Sequence, residues 1–141
     1  MFGSSQLFHS LNQQVRFLNK EINERLKKHG IYHSQWAILY CLYTYGPMTQ
    51  TAIWQYLNVE APTVTRTLKR MEANNWIIRK QGKDKRERLI ELTDAARDKF
   101  HDIEKSVNCF EEDMLVHLTS EEQDQLLRLI NKVGYKGAES P

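Results

Sequence analysis

Hydrophobic and polar residues repeat along most of this chain with a period of three to four residues, which predicts a mainly helical protein. Five apolar positions spaced three and four apart predict a first helix over residues 6–28, and Gly30 is expected to end it. These positions are Phe8, Leu11, Val15, Leu18 and Ile22. Ser34 is expected to cap a second helix that runs to Tyr45 and is apolar on most sides, which predicts burial.

Two further helices, joined by a turn of a few residues, are predicted over residues 50–57 and 60–75. Gly46-Pro47 separates the first of them from the preceding helix, and Thr49 supplies its cap. Two helices in this arrangement form a helix-turn-helix. The second has one apolar stripe that is expected to be buried, and its members are Val64, Leu68 and Met71.

The opposite face of the 60–75 helix is cationic and carries hydroxyl groups. At about 100° per residue, the residues that point away from the stripe are Pro62, Arg66, Lys69 and Arg70. Thr63 and Thr65 lie on the flanks of this face. Such a face is suited to contacts with phosphate groups, although a charged helix face taken alone is more often an ordinary solvated surface.

Two short apolar runs after this helix predict a pair of strands, residues 76–80 and 88–92. The segment between them, residues 81–87, is too long and too charged for a tight two-residue turn, so it is expected to project as a loop. Residues 61–90 contain nine Lys or Arg against three acidic residues, a net charge of +6, whereas the whole chain has +2. The positive charge is therefore concentrated on the helix and the loop, which favours binding to nucleic acid.

The C-terminal third has a 3.5-residue apolar repeat, which predicts a long helix with positions Ala96, Phe100, Ile103, Val107, Phe110 and Met114. A capping box at residues 119–122 begins a last helix, whose apolar positions are Leu126, Leu127, Ile130 and Val133. Residues 101–130 carry eight acidic and two basic residues, so this end is suited to pairing subunits rather than to binding DNA. Residues 136–141 are expected to be disordered.

The composition, with 141 residues, 40% hydrophobic and 27% charged, predicts a single globular domain over residues 1–141. The sequence shows no run of about 18 apolar residues and no signal-peptide pattern, so a cytoplasmic protein without a membrane partner is expected. Cys41 and Cys109 both lie within helical patterns. Each is expected to be a small buried hydrophobe rather than a redox-sensing thiol, although the sequence leaves the second possibility open.

The order of these elements resembles the MarR family of transcription regulators (multiple antibiotic resistance regulators). The most specific matches are residues 48–79 (MTQTAIWQYLNVEAPTVTRTLKRMEANNWIIR) and residues 84–86 (DKR), which precede a strand ending in Leu-Thr. The resemblance implies a mainly α fold, a winged helix-turn-helix with a two-stranded β-wing and N- and C-terminal dimerisation helices. It places the DNA-binding part at about 34–93 and the dimerisation part at about 6–28 and 94–135.

The resemblance also implies a homodimeric regulator of double-stranded DNA, expected to be a repressor acting on a two-fold symmetric operator. The 60–75 helix would enter the major groove and the 81–87 loop the flanking minor groove. The expected DNA contacts are Pro62, Thr63, Thr65, Arg66, Lys69, Arg70, Lys83, Lys85 and Arg86. In such proteins the residue that matches Arg86 enters the minor groove, and Arg79 and Asp84 are expected to support the wing.

Aromatic residues near the junction of the two parts have two possible roles. Phe17, Trp36, Tyr40 and Tyr43 could wall a pocket for a small phenolic or lipophilic effector that relieves DNA binding, or they could simply belong to the core. Neither the existence nor the identity of an effector follows from the sequence. The aromatic set is therefore a candidate effector pocket and no more.

No sequence pattern indicates catalysis, because the chain has neither a Gly-rich phosphate loop nor a recognisable nucleophile motif. No catalytic residue, cofactor or metal site is therefore assigned. His101 and Glu104 share a helix face and could hold a metal ion, but no third ligand accompanies them. The alternatives to an effector-controlled DNA-binding regulator are a winged helix that binds only protein and a thiol- or metal-responsive regulator.

Overall fold

The computed structural model of the protein describes residues 3–84 and 87–135, and these residues form six α-helices and a small antiparallel sheet. The helices are α1 (Ser4–Leu26), α2 (His33–Tyr45), α3 (Gln50–Leu57), α4 (Ala61–Ala73), α5 (Asp94–Met114) and α6 (Ser120–Lys132). The strands are β1 (Met48–Thr49), β2 (Ile77–Gln81) and β3 (Arg88–Leu92). A short 3-10 helix, Lys27–His29, continues α1. The mainly α, winged helix-turn-helix prediction is confirmed, and the wing consists of β2, β3 and the loop between them.

The sheet has three strands in the order β1-β3-β2, so β1 joins the two predicted wing strands, β2 and β3. β2 and β3 pair from Ile77 opposite Leu92 to Gln81 opposite Arg88. β1 adds only two residues to the other edge of β3, Met48 opposite Ile90 and Thr49 opposite Leu89. A two-residue strand has no alternating pattern of its own, so the sequence did not reveal β1.

The apolar stripe of α4 is buried as predicted, because α4 packs on α2 and α3. Its three members, Val64, Leu68 and Met71, are all at most 2% exposed. The stripe of α5 is buried from Ala96 to Phe110, while Met114 is partly exposed. The buried residues of α2 include Trp36, Ile38, Leu39, Cys41 and Leu42. The helix-turn-helix therefore rests on α2, which is the buried helix that its apolar sequence predicts.

The start of α2 differs from the prediction, because Ser34 lies inside the first turn and the capping residue is Tyr32. The side chain of Gln35 accepts a hydrogen bond from the Tyr32 backbone N–H at 3.0 Å. The Asn23 side chain of α1 accepts another from the His33 backbone N–H at 2.7 Å. Side chains from inside the helix and from α1 thus satisfy the N–H groups of the capping residue and of the first helical residue.

The predicted helix ends at Gly30 and Asn75 are confirmed, since both residues have left-handed backbones, with φ of 70° and 64°. At the end of α4 the Asn75 N–H donates to the Glu72 carbonyl at 3.1 Å and the Trp76 N–H donates to the Met71 carbonyl at 2.8 Å. This pair of bonds is a Schellman motif. It turns the chain sharply from α4 into the wing.

The chain divides into two compact units, Met1–Val107 and Asn108–Pro141. The second unit contains the end of α5 and the whole of α6. The predicted capping box at the start of α6 is confirmed, because Thr119 Oγ1 accepts from the Glu122 N–H at 3.1 Å and Glu122 Oε1 accepts from the Thr119 N–H at 2.9 Å. The expected disorder of residues 136–141 falls outside the described residues. In the described part of the chain, no helix has the length and apolar character required to cross a membrane.

Candidate nucleic-acid interface

The first turns of α4 present the predicted cationic face to solvent. Pro62, Arg66, Lys69 and Arg70 are exposed, while Thr63 and Thr65 are partly buried. Pro62 lies in the first turn, where its missing N–H leaves no hydrogen bond unmade. Glu60 precedes the helix without a side-chain capping bond. We call the surface of Pro62, Arg66, Lys69 and Arg70, flanked by Thr63 and Thr65, the cationic face. That this face contacts DNA stays a prediction.

The hydroxyl of Thr65 is engaged inside the protein. Its Oγ1 donates to the Ala61 carbonyl at 3.0 Å and accepts a hydrogen bond from Nε2 of Gln50. Gln50 is the first residue of α3 and follows the Thr49 cap, whose Oγ1 accepts from the Ala52 N–H at 3.1 Å as predicted. Sequence reasoning placed Thr65 among the DNA contacts and did not find its bond to α3.

Arg79 of β2 lies between the wing and the helix-turn-helix and is only 19% exposed. Its Nη1 donates to Gln50 Oε1 at 3.4 Å, and its Nε lies 3.5 Å from Glu72 Oε2. One guanidinium group therefore contacts α3 and the last turn of α4 from the base of the wing. Arginine suits this position because its planar group carries several donors in fixed directions. The sequence offered no pattern that pairs Arg79 with Gln50.

The loop between β2 and β3 is closed at its base by two backbone hydrogen bonds. The Gly82 N–H donates to the Glu87 carbonyl at 2.7 Å, and the Glu87 N–H donates to the Asp84 carbonyl at 2.9 Å. A Cβ at Gly82 would lie 3.1 Å from the Glu87 carbonyl oxygen, so glycine permits this close approach. Lys83 and Asp84 are exposed. The predicted contacts at Lys85 and Arg86 fall outside the described residues.

Thr93 fixes the far end of the wing to the start of α5. Its Oγ1 donates to the Asn75 carbonyl at 2.8 Å and accepts from the Ala96 N–H at 3.0 Å. Its backbone N–H donates to the Trp76 carbonyl at 3.1 Å. The side chain therefore caps α5 and holds the chain next to the end of α4. This cap was not predicted from the sequence, although a threonine directly before the α5 repeat is a pattern that predicts one.

The four aromatic residues of the candidate effector pocket lie in different surroundings. Trp36 and Tyr43 stack on the buried Phe100 of α5, with ring centroids 5.3 and 3.7 Å away. Tyr40 lies 6.0 Å from the Trp36 ring and is half exposed, as is Phe17 on α1. Two of the four rings thus belong to the packing between α2 and α5, and the pocket they were proposed to form stays a prediction.

A cavity of about 320 Å³ lies between α1, the start of α2 and α4. It is lined mainly by polar side chains, among them Asn23, His33 and Arg70. Burial lowers the pKa of His33 below its ordinary value. None of the four candidate aromatic residues lines this cavity.

The candidate metal pair is occupied by contacts within the chain. His101 Nε2 lies 3.1 Å from the Tyr43 hydroxyl, and His101 Nδ1 lies 3.6 Å from Glu104 Oε1. Across residues 3–84 and 87–135, no three His, Cys, Asp or Glu side chains are grouped so that they could hold a metal ion. The two ring nitrogens instead link α5 to α2 and to the next turn of α5.

The two cysteines differ in exposure. Cys41 is buried, as predicted, with its Sγ 3.2 Å from the Met48 Sδ, and burial raises the pKa of the Cys41 thiol. Cys109 is exposed, so its predicted burial is wrong. The reason is geometric, because Cys109 stands next to the α5 stripe position Phe110 and points off that stripe.

The chain is similar to several transcription regulators in sequence and in fold. A sequence model of the MarR family matches residues 31–87. The HTH-type transcriptional regulator YwoH of Bacillus subtilis (strain 168) is 50% identical over 128 residues, which cover 91% of this chain and 93% of the relative. A mutant of MarR from E. coli complexed with operator DNA has a TM-score of 0.82 at 25% identity, over 92% of this chain and 91% of that one. Reduced AbfR bound to DNA has a TM-score of 0.76 at 25% identity, over 92% and 90% of the two chains.

Proposed function

This chain belongs to the MarR family of DNA-binding transcription regulators, and from that premise we propose that it is a homodimeric repressor acting in the cytoplasm. α4 is the recognition helix and lies in the major groove of a two-fold symmetric operator. The wing loop lies in the adjoining minor groove. The relatives bound to DNA, MarR with its operator and AbfR, support this proposal.

The observation that carries the proposal is the cationic face of α4. Arg66, Lys69 and Arg70 are exposed on one side of the helix, while the stripe on the other side is fully buried. The helix is therefore held by its apolar side and presents its charges outward. Three cations on one exposed helix face attract the phosphates of a duplex, and an arginine can also bind guanine edges in the major groove.

Exposed apolar residues on α1 and α6 support the homodimer. On α1 these are Leu7, Phe8, Leu11 and Val15, and on α6 they are Leu126, Leu127, Leu129 and Ile130. Each is at least 42% exposed in the single chain. An exposed apolar stripe on a helix marks an interaction site, and α1 and α6 each have one. We propose that a second copy of the chain covers both stripes, because a two-fold dimer matches a two-fold operator.

We further propose that DNA binding is relieved by a small molecule rather than by oxidation of Cys41. The thiolate is the form that oxidants attack, and burial disfavours it at Cys41 by raising the thiol pKa. The exposed Cys109 belongs to the second unit, and the elements proposed to bind DNA belong to the first.

The test of the proposal uses duplexes that the protein itself selects from a random-sequence pool. Arg66→Ala is expected to weaken binding to the selected duplex by roughly 1–3 kcal/mol and to relax the base preference at one position per half-site, if Arg66 reads a base. Loss of a phosphate contact instead reduces the salt slope of log K by about one. Binding is measured by fluorescence anisotropy at several salt concentrations.

Arg128→Ala is the matched control, because Arg128 is an exposed arginine of α6, a helix that is not proposed to contact DNA. It should bind the selected duplex as the parent does. If Arg66→Ala also binds with the parent's affinity and salt slope, the cationic face of α4 is not the DNA-binding surface.

A further inference from the structure

We propose that Gln50 is a positioning residue, which fixes the wing relative to the recognition helix so that both meet DNA as one unit. This inference rests on the proposed function, since it concerns how two DNA-contacting elements are held together. Gln50 was not among the residues expected to serve DNA binding. It carries no charge, and its place is the first position of α3.

The side-chain amide of Gln50 uses both of its ends. Nε2 donates to Thr65 Oγ1 on α4, and Oε1 accepts from Arg79 Nη1 on β2 at 3.4 Å. A primary amide is the group that can donate and accept at the same time through one planar unit. Gln50 therefore joins the recognition helix directly to the base of the wing.

Both partners of Gln50 extend the link along α4. Thr65 Oγ1 donates to the Ala61 carbonyl in the first turn of α4, and Arg79 Nε lies 3.5 Å from Glu72 in its last turn. α3, both ends of α4 and β2 are thus connected through four side chains, those of Gln50, Thr65, Arg79 and Glu72. The Arg79 side chain is 19% exposed, so its contacts are screened less by water than those of a surface pair.

The start of α3 is held beside the wing by strand pairing, because Thr49, which precedes Gln50, lies opposite Leu89 of β3. A cavity of about 470 Å³ lies between them, lined by Thr49, Gln50 and Thr51 on one side and by Arg79, Glu87 and Arg88 on the other. The side chains that line this space are polar or charged. The bridge through Gln50 adds a side-chain link across this space, from the start of α3 to Arg79 of β2 and to Thr65 of α4.

A rigid connection has a measurable effect on binding. When the recognition helix is in the major groove, a fixed wing meets the flanking minor groove at a high effective concentration and without further ordering cost. A loosely held wing gains less from the same flank. The benefit of flanking DNA thus reports the rigidity of the connection, whereas the affinity for the half-sites alone does not.

The experiment compares two duplexes derived from the selected sequence. The long duplex keeps its natural flanks, and the short duplex ends where the wings would begin to contact DNA. The parent protein is expected to bind the long duplex at least about tenfold more tightly, a difference of ~1.4 kcal/mol. In Gln50→Leu, which removes both hydrogen bonds and keeps a similar volume, this ratio should fall to about two, with little change on the short duplex.

Two variants control the experiment. Gln55→Leu makes the same change at an exposed position of α3 and should keep the parent's ratio. Gln50→Glu keeps an acceptor for Arg79 but loses the donor to Thr65, so it should give an intermediate ratio even if Gln50→Leu folds poorly. Melting midpoints are recorded for all variants.

The outcomes separate the inference from the proposed function. If the parent binds both duplexes equally, the wing does not contact flanking DNA, and both the wing proposal and the role of Gln50 are refuted. If the parent prefers the long duplex and Gln50→Leu shows the same ratio, the positioning role is refuted and the DNA-binding proposal stands. Equal weakening on both duplexes together with a lowered melting midpoint would show a purely structural role and would also refute it.

Discussion

α4 and α6 are amphipathic helices of 13 residues each, yet their apolar stripes have opposite fates. The α4 residues Val64 and Leu68 are 2% and 0% exposed, whereas the α6 residues Leu127 and Ile130 are 62% and 51% exposed. Helical periodicity identifies which face is apolar. It does not say whether that face is covered by the same chain or by another molecule.

The outward faces of the two helices also differ. α4 has three basic residues and one acidic residue, while α6 has three acidic and two basic residues. The helix with a buried stripe thus presents positive charge, and the helix with an exposed stripe carries a small negative charge. This division matches the proposed roles, α4 for DNA and α6 for a second subunit.

Leu68→Ala tests the buried side of the comparison and should have the largest effect. Leu68 of α4 is fully buried against the neighbouring elements, so shortening its side chain to alanine leaves a cavity. The free energy of unfolding should fall by roughly 2–5 kcal/mol. Urea unfolding at one fixed protein concentration, followed by circular dichroism, measures it. The control is Gln55→Ala at an exposed position of α3, expected to change stability by no more than about 0.5 kcal/mol. A Leu68→Ala loss as small as that of the control would contradict the burial of the stripe.

Ile130→Asp tests the exposed side. If a second copy covers the α6 stripe, a carboxylate placed there must lose its hydration or break the contact. The dissociation constant of the dimer should rise about a hundredfold, ~2.7 kcal/mol. Sedimentation at micromolar concentration should then show a dimer for the parent and a monomer for the variant.

Arg128→Asp is the control, because it places a carboxylate at an exposed position on the face of α6 opposite Ile130. It should sediment as the parent does. A parent that is monomeric at micromolar concentration would remove the homodimer from the proposed function, and an Ile130→Asp variant that stays dimeric would remove α6 from the interface.

Periodic and capping patterns predicted most of the fold. The predicted helix over residues 60–75 is α4 (Ala61–Ala73), and the Thr49 cap and the capping box of α6 have the expected hydrogen bonds. These features depend on residues within one or two turns of each other, so a single sequence contains the necessary information.

Features that depend on distant residues were missed. β1 exists because β3 offers it an edge, and α2 begins at His33 partly because Asn23 of α1 accepts from the His33 N–H. The link from Gln50 to Thr65 and Arg79 joins residues 15 and 29 positions apart. Nothing in the local sequence specifies such pairs, because they are set by how the elements pack together.

The smallest expected effect is on the pH dependence of the free energy of unfolding, and its sign differs between the two units. Burial lowers the pKa of His33 in the first unit, and burial with the neighbouring Lys28 lowers that of His29 against an opposing effect of Asp102. Burial raises the pKa of Glu111 in the second unit. A lowered histidine pKa means that the unfolded chain takes up the proton first, so stability is lost as pH falls below the ordinary value of 6.5. The raised glutamate pKa acts in the opposite sense, because stability is lost as pH rises above its ordinary value of 4.5.

Between pH 7.5 and 5.5 the histidines should therefore decrease the free energy of unfolding as the solution becomes more acidic. His33→Gln should reduce this pH dependence, because glutamine cannot take up the proton that burial disfavours. Urea unfolding at pH 7.5, 6.5 and 5.5 compares the parent with His33→Gln and with His117→Gln, a control at an exposed position of the second unit. The control should follow the parent. If His33→Gln also follows the parent at every pH, the half-buried His33 does not contribute to the acid sensitivity of the first unit, and His29 next to Ser106 becomes the residue to substitute.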